Sequence, residues 1–202
     1  MNTLHRNIFT GVLGLALVAG ALAHDDHSQH AEQSTTSSQG EDSVVSFINT
    51  PLTDQHGQSV QLEEDLVNDR IVVMSFIYTS CTTVCPLVSS IMGKVQQELG
   101  ERVGAEVQLI SITVDPQTDT PERLLDYSRH FQNGPGWSWL TGTPQEVTDT
   151  LKALGTWNVD YINHPPLIMV GSGDSRDWSR YYGFTDPQVL LAKVDELAGV
   201  QP

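Results

Sequence analysis

The sequence predicts a single α/β domain that follows an export signal and a polar segment. Within residues 43–202, short apolar runs alternate with segments of helical periodicity, as they do in α/β proteins. No internal repeat and no second linker interrupt this alternation. Hydrophobic residues make up 39% of the 202 residues, which is enough for one core that needs no disulfide to fold.

Residues 1–23 have the features of a signal peptide. A weakly basic start with His5 and Arg6 precedes an apolar run over residues 8–22, and the run ends in Ala-Leu-Ala, which fits the small-x-small cleavage rule. We expect cleavage after Ala23 and export across a membrane. The alternative is an uncleaved anchor, although the run is short for a membrane span and carries no cysteine for lipid attachment.

Residues 24–42 are rich in His, Ser, Gln, Thr and acidic residues and show no hydrophobic periodicity. We expect a flexible tether. Within it His24, His27 and His30 lie close together, and neutral imidazoles suit copper, zinc or nickel. A solvated polar tail explains the same composition, because a histidine cluster without fixed structure binds metals weakly and indiscriminately.

The domain begins with a predicted hairpin and a buried strand. Residues 44–48 and 59–62 are expected to pair around residues 54–57, where Gly57 supplies the turn. The run IVVMSFIY over residues 71–78 is apolar at nearly every position, as expected for a strand that is buried on both faces.

A predicted helix follows the segment that contains the cysteines. Apolar residues recur there at three- and four-residue steps, which is typical of one helix face. These residues are Leu87, Val88, Ile91, Met92, Val95 and Leu99. A strand at residues 107–114 comes next, and then a helix with Thr120 as its N-cap and Pro121 at its first position.

The last third of the domain contains two more helices and a hairpin. We expect a helix at residues 144–154, a strand at 167–170, a hairpin return through 178–182 and a helix at 187–198. Together with the earlier elements, this order is that of a thioredoxin-like fold with an N-terminal hairpin and an inserted helix.

The charge of the chain limits its partners. The formal net charge is -15 at pH 7. A chain with so few basic side chains cannot neutralise a phosphate backbone, which excludes nucleic acid as a partner. An acidic surface suits cationic partners or simple solubility.

Both cysteines lie in the segment YTSCTTVCP, where three residues separate Cys81 from Cys85. A thioredoxin-like fold brings this loop to a helix N-terminus, where free amides and the helix dipole favour thiolates. Thioredoxin-type redox motifs have two intervening residues. On a helix, residues four apart have Cβ atoms about 5–6 Å apart, whereas a disulfide needs about 3.8 Å. The spacing therefore favours one shared metal ion without excluding redox chemistry.

A stabilising disulfide between the two cysteines is the structural alternative. So short a loop removes little entropy from the unfolded chain when it is closed. A domain of this size also gains enough stability from burial alone. We therefore expect the cysteines to have a chemical function.

Two thiolates form a soft site, which selects Cu(I) or zinc over magnesium or calcium, and either metal needs a further ligand. The candidates are His56, His130 and His164. The first lies in the predicted hairpin turn and the second near a helix end, so both have ordinary explanations. His164 precedes a strand in a loop that thioredoxin-like folds place beside the cysteines. Because Pro165 and Pro166 stiffen that loop, we expect His164 to be the ligand.

Three segments carry a resemblance to a known family: FIYTSCTTVCP, then SITVDPQTDTPERL, then His164 before LIMVGSG and WSRYYGF. In this order, over residues 44–197, they resemble the Sco/SenC family of exported, thioredoxin-like copper chaperones, which help to assemble the dinuclear copper A centre of cytochrome c oxidase. Family members commonly have Asp before the histidine and a hydroxyl residue after it, whereas Asn163 and Pro165 flank it here.

The resemblance implies that Cys81, Cys85 and His164 bind one copper ion per domain, as Cu(I) or Cu(II). It also implies that Asp115 lies near the site as a carboxylate beyond the direct ligands. Ordinary turn chemistry is the alternative for Asp115, because Asp-Pro commonly follows a strand. Asp119, together with the N-cap threonine after it, is interpreted as a helix-start residue.

The implied protein is periplasmic, and tethered to the inner membrane if its N-terminal segment stays uncleaved. It would deliver copper to the copper A-bearing subunit of cytochrome c oxidase, with other copper chaperones or thiol reductants as further partners. The alternative is a thiol-disulfide reductase, in which Cys81 and Cys85 are catalytic and keep the oxidase subunit's thiols reduced. A thiol peroxidase is a third class, and it does not require His164.

Overall fold

The computed structural model describes residues 40–160, 165–174 and 178–200. Their strands form a single mixed sheet. The strands are β1 (Glu41–Ser43), β2 (Pro51–Asp54), β3 (Ser59–Gln61), β4 (Ile71–Ile77), β5 (Val107–Thr113), β6 (Trp137–Thr141), β7 (Leu167–Ser172) and β8 (Trp178–Tyr182). The helices are α1 (Val84–Leu99), α2 (Pro121–Ser128), α3 (Pro144–Ala153) and α4 (Pro187–Leu197), with a π-helix at Leu62–Val67 and 3-10 turns at Gly100–Arg102 and Arg129–Phe131.

The strand order across the sheet is β1-β8-β7-β4-β5-β6-β2-β3. The central strands β4, β5 and β6 are parallel, whereas β7 is antiparallel to β4 and β8 is antiparallel to β7. All seven residues of β4 are buried, as its unbroken apolar run predicts. Strands β4, β5, β7 and β8 with helices α1 and α4 form the thioredoxin-like core, so the predicted fold class is confirmed.

Two hydrophobic cores lie on opposite faces of the sheet, since alternate residues of β4 belong to different clusters. Helices α1, α2 and α4 cover the face that contains both cysteines. Helix α3 and the π-helix cover the other face. No helix within the described ranges is long and apolar enough to cross a membrane.

The predicted helices are confirmed, with one difference in the face of α1. Val88, Met92, Val95 and Leu99 are buried as their spacing predicts, but Leu87 is 52% exposed. In α2, the Thr120 side chain accepts a hydrogen bond from the backbone amide of Arg123, the third helical residue, and a proline stands at the first position. Local periodicity and capping chemistry therefore located these elements well.

The prediction of the N-terminal hairpin was wrong in its first strand. Strand β3 pairs with Pro51–Asp54 and not with residues 44–48. The Asp54 carboxylate accepts hydrogen bonds from the backbone amides of His56 and Gln58, both at 2.8 Å, and this closes the turn. Because the turn is closed at Asp54, the strand that pairs across it has to end there.

Strand β6 was not predicted from the sequence. It lies between α2 and α3, so the insertion between β5 and β7 contains a strand as well as helices. Its segment WSWLT is short. Trp137 and Trp139 are fully buried because β6 pairs with β5 and because the rings of Tyr127 and Phe131 pack against Trp139. This burial is a tertiary effect, and a five-residue pattern does not reveal it.

Residues 40–42, which the composition assigned to the tether, belong to the described structure. Strand β1 pairs antiparallel with β8, with Glu41 opposite Arg180. A Cβ atom at Gly40 would lie only 2.7 Å from the Tyr181 ring, so the close packing there requires glycine. The rest of the predicted tether and the predicted signal peptide, residues 1–39, lie outside the described residues.

Candidate metal centre

The cysteine loop leaves the carboxyl end of β4 and runs directly into α1. The Cys81 backbone amide donates to the Tyr78 carbonyl at 3.2 Å, which forms a tight turn before the helix. Helix α1 begins at Val84, so Cys85 lies in its first turn. This confirms that the fold brings the cysteine segment to a helix N-terminus.

A sulfur atom takes the place of an N-cap oxygen at the start of α1. The N-cap residue Thr83 makes no side-chain cap hydrogen bond. Instead, the Cys85 backbone amide donates to the Cys81 sulfur at 3.4 Å. Amides in the first turn of a helix have no partner within the helix, and they favour negative charge on a nearby acceptor. The helix therefore directs a donor at one of the two sulfurs.

Both thiols are free and nearly enclosed. Cys81 is 6% exposed and Cys85 is 2% exposed, and no disulfide joins them. They belong to the core cluster under α1, where Val88 and the first residues of the helix pack around them. A ligand that reaches the pair therefore approaches from the loop side and not from the core side.

The environments of the two thiols shift their pKa values in opposite directions. For Cys81, burial raises the pKa, but hydrogen bonds from the backbone of Cys85 and Thr83 and from the side chains of Cys85 and Tyr78 outweigh it and lower the pKa to about 6. For Cys85, burial raises the pKa far above its ordinary value, and the neighbouring Cys81 and the charge of Asp119 raise it further. The pair therefore presents one thiolate and one thiol near neutral pH.

A buried carboxylate anchors the cysteine loop, and the sequence analysis did not identify it. Asp119 is fully buried, and its carboxylate accepts hydrogen bonds from the Thr79 amide at 3.1 and 3.2 Å and from the Thr79 hydroxyl at 2.5 Å. The Thr113 hydroxyl at the end of β5 donates to the same carboxylate at 2.6 Å. Asp119 thus ties the residue two positions before Cys81 to the neighbouring strand.

Asp119 does stand at the start of α2, directly before the N-cap Thr120, but its carboxylate accepts from the cysteine loop and from β5 instead of capping the helix. One signal could have found it. Hydroxyl residues stand at or just after the carboxyl ends of two consecutive buried strands, at Thr79 and Thr113, and a carboxylate follows the second strand. Because the ends of parallel strands meet at one edge of the sheet, these groups are brought together.

Asp115 forms the turn after β5. Its amide donates to the Thr113 hydroxyl at 2.9 Å, and its carbonyl accepts from the amides of Thr118 and Asp119. The residue is 6% exposed and lines a groove of about 390 Å³ together with residues of α3 and the segment that follows it, including Trp157. Among the described residues, the carboxylate that bonds the cysteine loop belongs to Asp119.

Two of the three candidate histidines belong to the described residues, and they lie in different parts of the fold. His56 is exposed in the β2–β3 turn, at the sheet edge opposite β1. His130 is exposed in the 3-10 turn after α2, with its Nδ1 atom 3.1 Å from the Tyr127 carbonyl oxygen. His164 lies outside the described residues. Across residues 40–160, 165–174 and 178–200, no group of three or more His, Cys, Asp or Glu side chains could hold a metal ion.

The residues that follow His164 lie at the cysteine end of the sheet. Strand β7 runs antiparallel to β4, with Ile168 opposite Ser75. Pro165 and Phe76, the latter close to the end of β4, line the same cavity of about 160 Å³. The start of β7 is therefore next to the strand end from which the cysteine loop leaves.

The fold and the cysteine pair define a class: a thioredoxin-like protein with a buried two-sulfur site at a helix N-terminus, suited to a soft metal or to thiol chemistry. The model of the SCO1/SenC family matches residues 37–198. The chain belongs to this family.

Relatives in sequence agree with this assignment. A candidate copper-binding protein of Stutzerimonas stutzeri is 28% identical over 155 residues, which cover 77% of this chain and 72% of that protein. The SCO1 protein homolog of Bacillus subtilis is 32% identical over 92 residues, or 45% of this chain and 46% of that protein. Mitochondrial SCO1 of Saccharomyces cerevisiae is 28% identical over 154 residues, which cover 74% of this chain and 50% of that protein. The chain thus spans about half the length of the latter two relatives.

Solved structures agree with the fold. Bradyrhizobium japonicum ScoI with copper bound has a TM-score of 0.62 and 25% identity, and the match covers 79% of this chain and 99% of that one. A SCO1/SenC family lipoprotein from Bacillus anthracis has a TM-score of 0.66 and 23% identity, and the match covers 78% of this chain and 98% of that one. At so low an identity the second likeness supports the fold alone.

Proposed function

We propose that this protein is an exported copper chaperone that delivers copper to the copper A-bearing subunit of cytochrome c oxidase. Family membership over residues 37–198 supports this, because yeast Sco1 and B. japonicum ScoI have been solved with copper bound. BsSco, whose solved structure has the same fold, is described as a member of the Sco family of cytochrome c oxidase assembly proteins. The observation that carries the proposal is the pair of free, buried sulfurs at the start of α1.

The proposed ligands are Cys81, Cys85 and His164. Copper is the cargo of the protein, and two thiolates suit Cu(I) while an added imidazole nitrogen suits Cu(II). Cys81 is the first thiolate because its pKa is low, and Cys85 loses its proton when the metal binds. The position of β7 beside β4 supports His164, since this histidine shortly precedes β7.

Two further residues have supporting functions in this proposal. Asp119 holds the start of the cysteine loop against β5, which keeps Cys81 at the N-terminus of α1. Asp115 contributes a carboxylate at the same end of the sheet, beyond the direct ligands. Three ligands leave one side of the copper open, so a ligand of the partner can bind before one of these is released.

We also propose that residues 1–23 direct export to the periplasm, with or without retention at the inner membrane. The B. anthracis neighbour is described as a lipoprotein, which supports a location at a membrane surface for that relative. Fractionation with N-terminal sequencing tests the proposal. We expect a mature chain that starts at His24, and a cytoplasmic protein that retains Met1 would contradict export.

Copper stoichiometry tests the function. The reduced protein without residues 24–39 should bind one Cu(I), measured by competition with a calibrated chelator, and Cys81→Ser and Cys85→Ser should each lose tight binding. His164→Ala should weaken Cu(II) binding, followed by thiolate charge-transfer absorbance, far more than Cu(I) binding. His56→Ala is the matched control and should match the unaltered protein. Preference for zinc under the same conditions would contradict a copper chaperone.

The thiol-disulfide reductase is the second candidate function. The copper-bound relatives favour the chaperone over it. A reductase assay on a peptide with the two copper A cysteines separates the two functions, since His164→Ala should leave thiol exchange largely intact. A turnover that exceeds the rate of copper transfer would favour the reductase.

A further inference from the structure

Two hydroxyl groups near the cysteine pair are left unsatisfied by the fold. Ser89 of α1 is fully buried, and Tyr127 of α2 packs against the core cluster that contains Cys81 and Cys85. Within the described part of the chain, both hydroxyl groups are buried without a hydrogen-bond partner. A buried hydroxyl without a partner costs free energy when the protein folds, so each of the two requires an explanation.

Other hydroxyl groups on the helices do bond to the backbone. Ser90, the next residue of α1, donates to the Pro86 carbonyl at 2.7 Å. The buried residues Ser128 in α2 and Thr150 in α3 donate in the same way to carbonyls one turn before them, each at 2.8 Å. A serine or threonine inside a helix commonly satisfies its hydroxyl by such a bond. Ser89 does not form it, so its hydroxyl stays available to another acceptor.

The spacing along α1 brings Ser89 next to Cys85. Ser89 follows Cys85 by four residues within the helix. Residues four apart share one helix face, with Cβ atoms about 5–6 Å apart. Because the Cα–Cβ bonds of a helix tilt toward its N-terminus, the Ser89 side chain leans toward the turn that contains Cys85. The Cys85 sulfur is therefore the acceptor that the Ser89 hydroxyl can most readily reach.

Tyr127 approaches the same position from α2. Its ring is held by Phe131 and Trp139, with ring centroids 5.0 and 5.6 Å away. Burial raises the pKa of Tyr127, the neighbouring Ser89 hydroxyl opposes this, and the charges of both cysteines and of Asp119 raise it further. The phenol therefore keeps its proton and lies within electrostatic reach of both sulfurs. The tyrosine is a hydrogen-bond donor in a fixed position beside the cysteine pair.

We propose that Tyr127 and Ser89 are positioning residues of the copper site, whose hydroxyls donate hydrogen bonds toward the Cys85 sulfur when that sulfur binds copper. The inference rests on the proposed function, because it needs copper to bind at the cysteines. A thiol sulfur is a weak acceptor, whereas a copper-bound thiolate carries negative charge and accepts more strongly. No proton is transferred in this step. Because the sulfur is more negative on Cu(I) than on Cu(II), these hydrogen bonds favour Cu(I).

Copper affinity and the absorbance of the Cu(II) form test the inference. Tyr127→Phe and Ser89→Ala each remove one hydroxyl and little else. Each variant should bind Cu(I) about tenfold more weakly in chelator competition, with a smaller loss of Cu(II) affinity. The thiolate charge-transfer band should move to lower energy in each variant, because a sulfur without the hydrogen bond gives up an electron more easily. Unchanged Cu(I) affinity and an unshifted band in both variants would overturn the inference.

The stability of the metal-free protein separates this function from a structural one. Because the two hydroxyls have no partner without metal, both variants should keep or raise the urea midpoint of unfolding. A lowered midpoint in both variants would show a structural function and overturn the inference.

Tyr181→Phe is the matched control. Tyr181 is buried in the same core cluster, but there burial raises the pKa and the charge of Lys193 opposes it. This variant should match the unaltered chain in Cu(I) affinity and in its charge-transfer band, and an equal shift in the control would overturn the inference.

The two proposals fail in different ways. If the unaltered chain neither binds Cu(I) nor shows the charge-transfer band with Cu(II), the proposed copper function fails. If the unaltered chain binds copper and Tyr127→Phe and Ser89→Ala behave identically to it, the inference about the two hydroxyls fails and the copper function stands.

Discussion

At the scale of single residues, Cys81 and Cys85 lie four positions apart, yet their sulfur atoms have different surroundings at the start of α1. An amide of that turn donates to the first sulfur, and the second is buried among apolar side chains next to a carboxylate. This difference matters for copper uptake, because a thiolate that already exists can capture the ion before the second thiol loses its proton.

The pKa difference predicts selective alkylation of the reduced, metal-free protein. Iodoacetamide should modify Cys81 with a pH midpoint near 6, compared with 9.0 for an ordinary thiol, because hydrogen bonds from the backbone of Cys85 and Thr83 stabilise the thiolate. Cys85 should stay unmodified at neutral pH. Peptide mass mapping after short exposures from pH 5 to pH 9 measures both, with unfolded protein as the control. Equal modification of the two residues at pH 7 would contradict the assignment.

Asp119 is predicted to support both stability and copper binding. Asp119→Ala removes a fully buried acceptor and leaves the hydroxyls of Thr79 and Thr113 without it, which should cost about 3 kcal/mol of unfolding free energy. Cu(I) affinity should fall as well, because the cysteine loop loses its anchor. Urea unfolding and chelator competition measure the two effects.

Asp115→Ala is the matched control for this prediction. It removes a neighbouring carboxylate whose residue is bonded mainly through its backbone, so the loss of stability should be less than about 1 kcal/mol. Equal losses in the two variants would show that the network around Asp119 has no special part in holding the loop.

At the scale of secondary structure, α3 shows how a local cap supports the groove beside Asp115. The Thr143 side chain accepts from the Glu146 amide, and the Glu146 carboxylate accepts from the Thr143 amide at 2.7 Å, which completes a capping box. Thr143→Ala should therefore cost about 1 kcal/mol of unfolding free energy. Gln145→Ala, an exposed change in the same turn, should stay within about 0.5 kcal/mol. Thermal unfolding compares them, and equal shifts would argue against the cap.

Elements with strong local signals were predictable. The unbroken apolar run predicted β4, three- and four-residue spacing predicted α1, and Thr120-Pro121 marked the start of α2. The prediction of a strand at residues 44–48 was wrong because it rested on apolar residues alone. The Asp54 carboxylate closes the turn and so determines which strand pairs with β3. Strand β6 was missed because its burial depends on partners that lie far away in the sequence.

At the scale of the whole molecule, copper binding and folding are linked. An ion that binds only the folded, reduced protein should raise its unfolding free energy by about 2.7 kcal/mol at a free concentration of a hundred times Kd. The protein oxidised to a Cys81–Cys85 disulfide should show no such gain, because metal ligation needs thiolates. Chemical denaturation with buffered Cu(I) measures both forms, and the Cys81→Ser, Cys85→Ser double variant is the control. Equal stabilisation of the oxidised protein would exclude the cysteines as ligands.

The sequence by itself determined the fold class, the position of the cysteine pair at a helix start, and the family. These depend on periodicity, capping and motif order, which are local properties of the chain. The tertiary structure decided that Asp119 anchors the cysteine loop and that the pKa values of the two thiols shift in opposite directions. It also decided that β1 joins the sheet edge beside β8. The physical reason is distance along the chain: Thr79 and Asp119 are 40 residues apart, and only the pairing of β4 with β5 brings their polar atoms into contact.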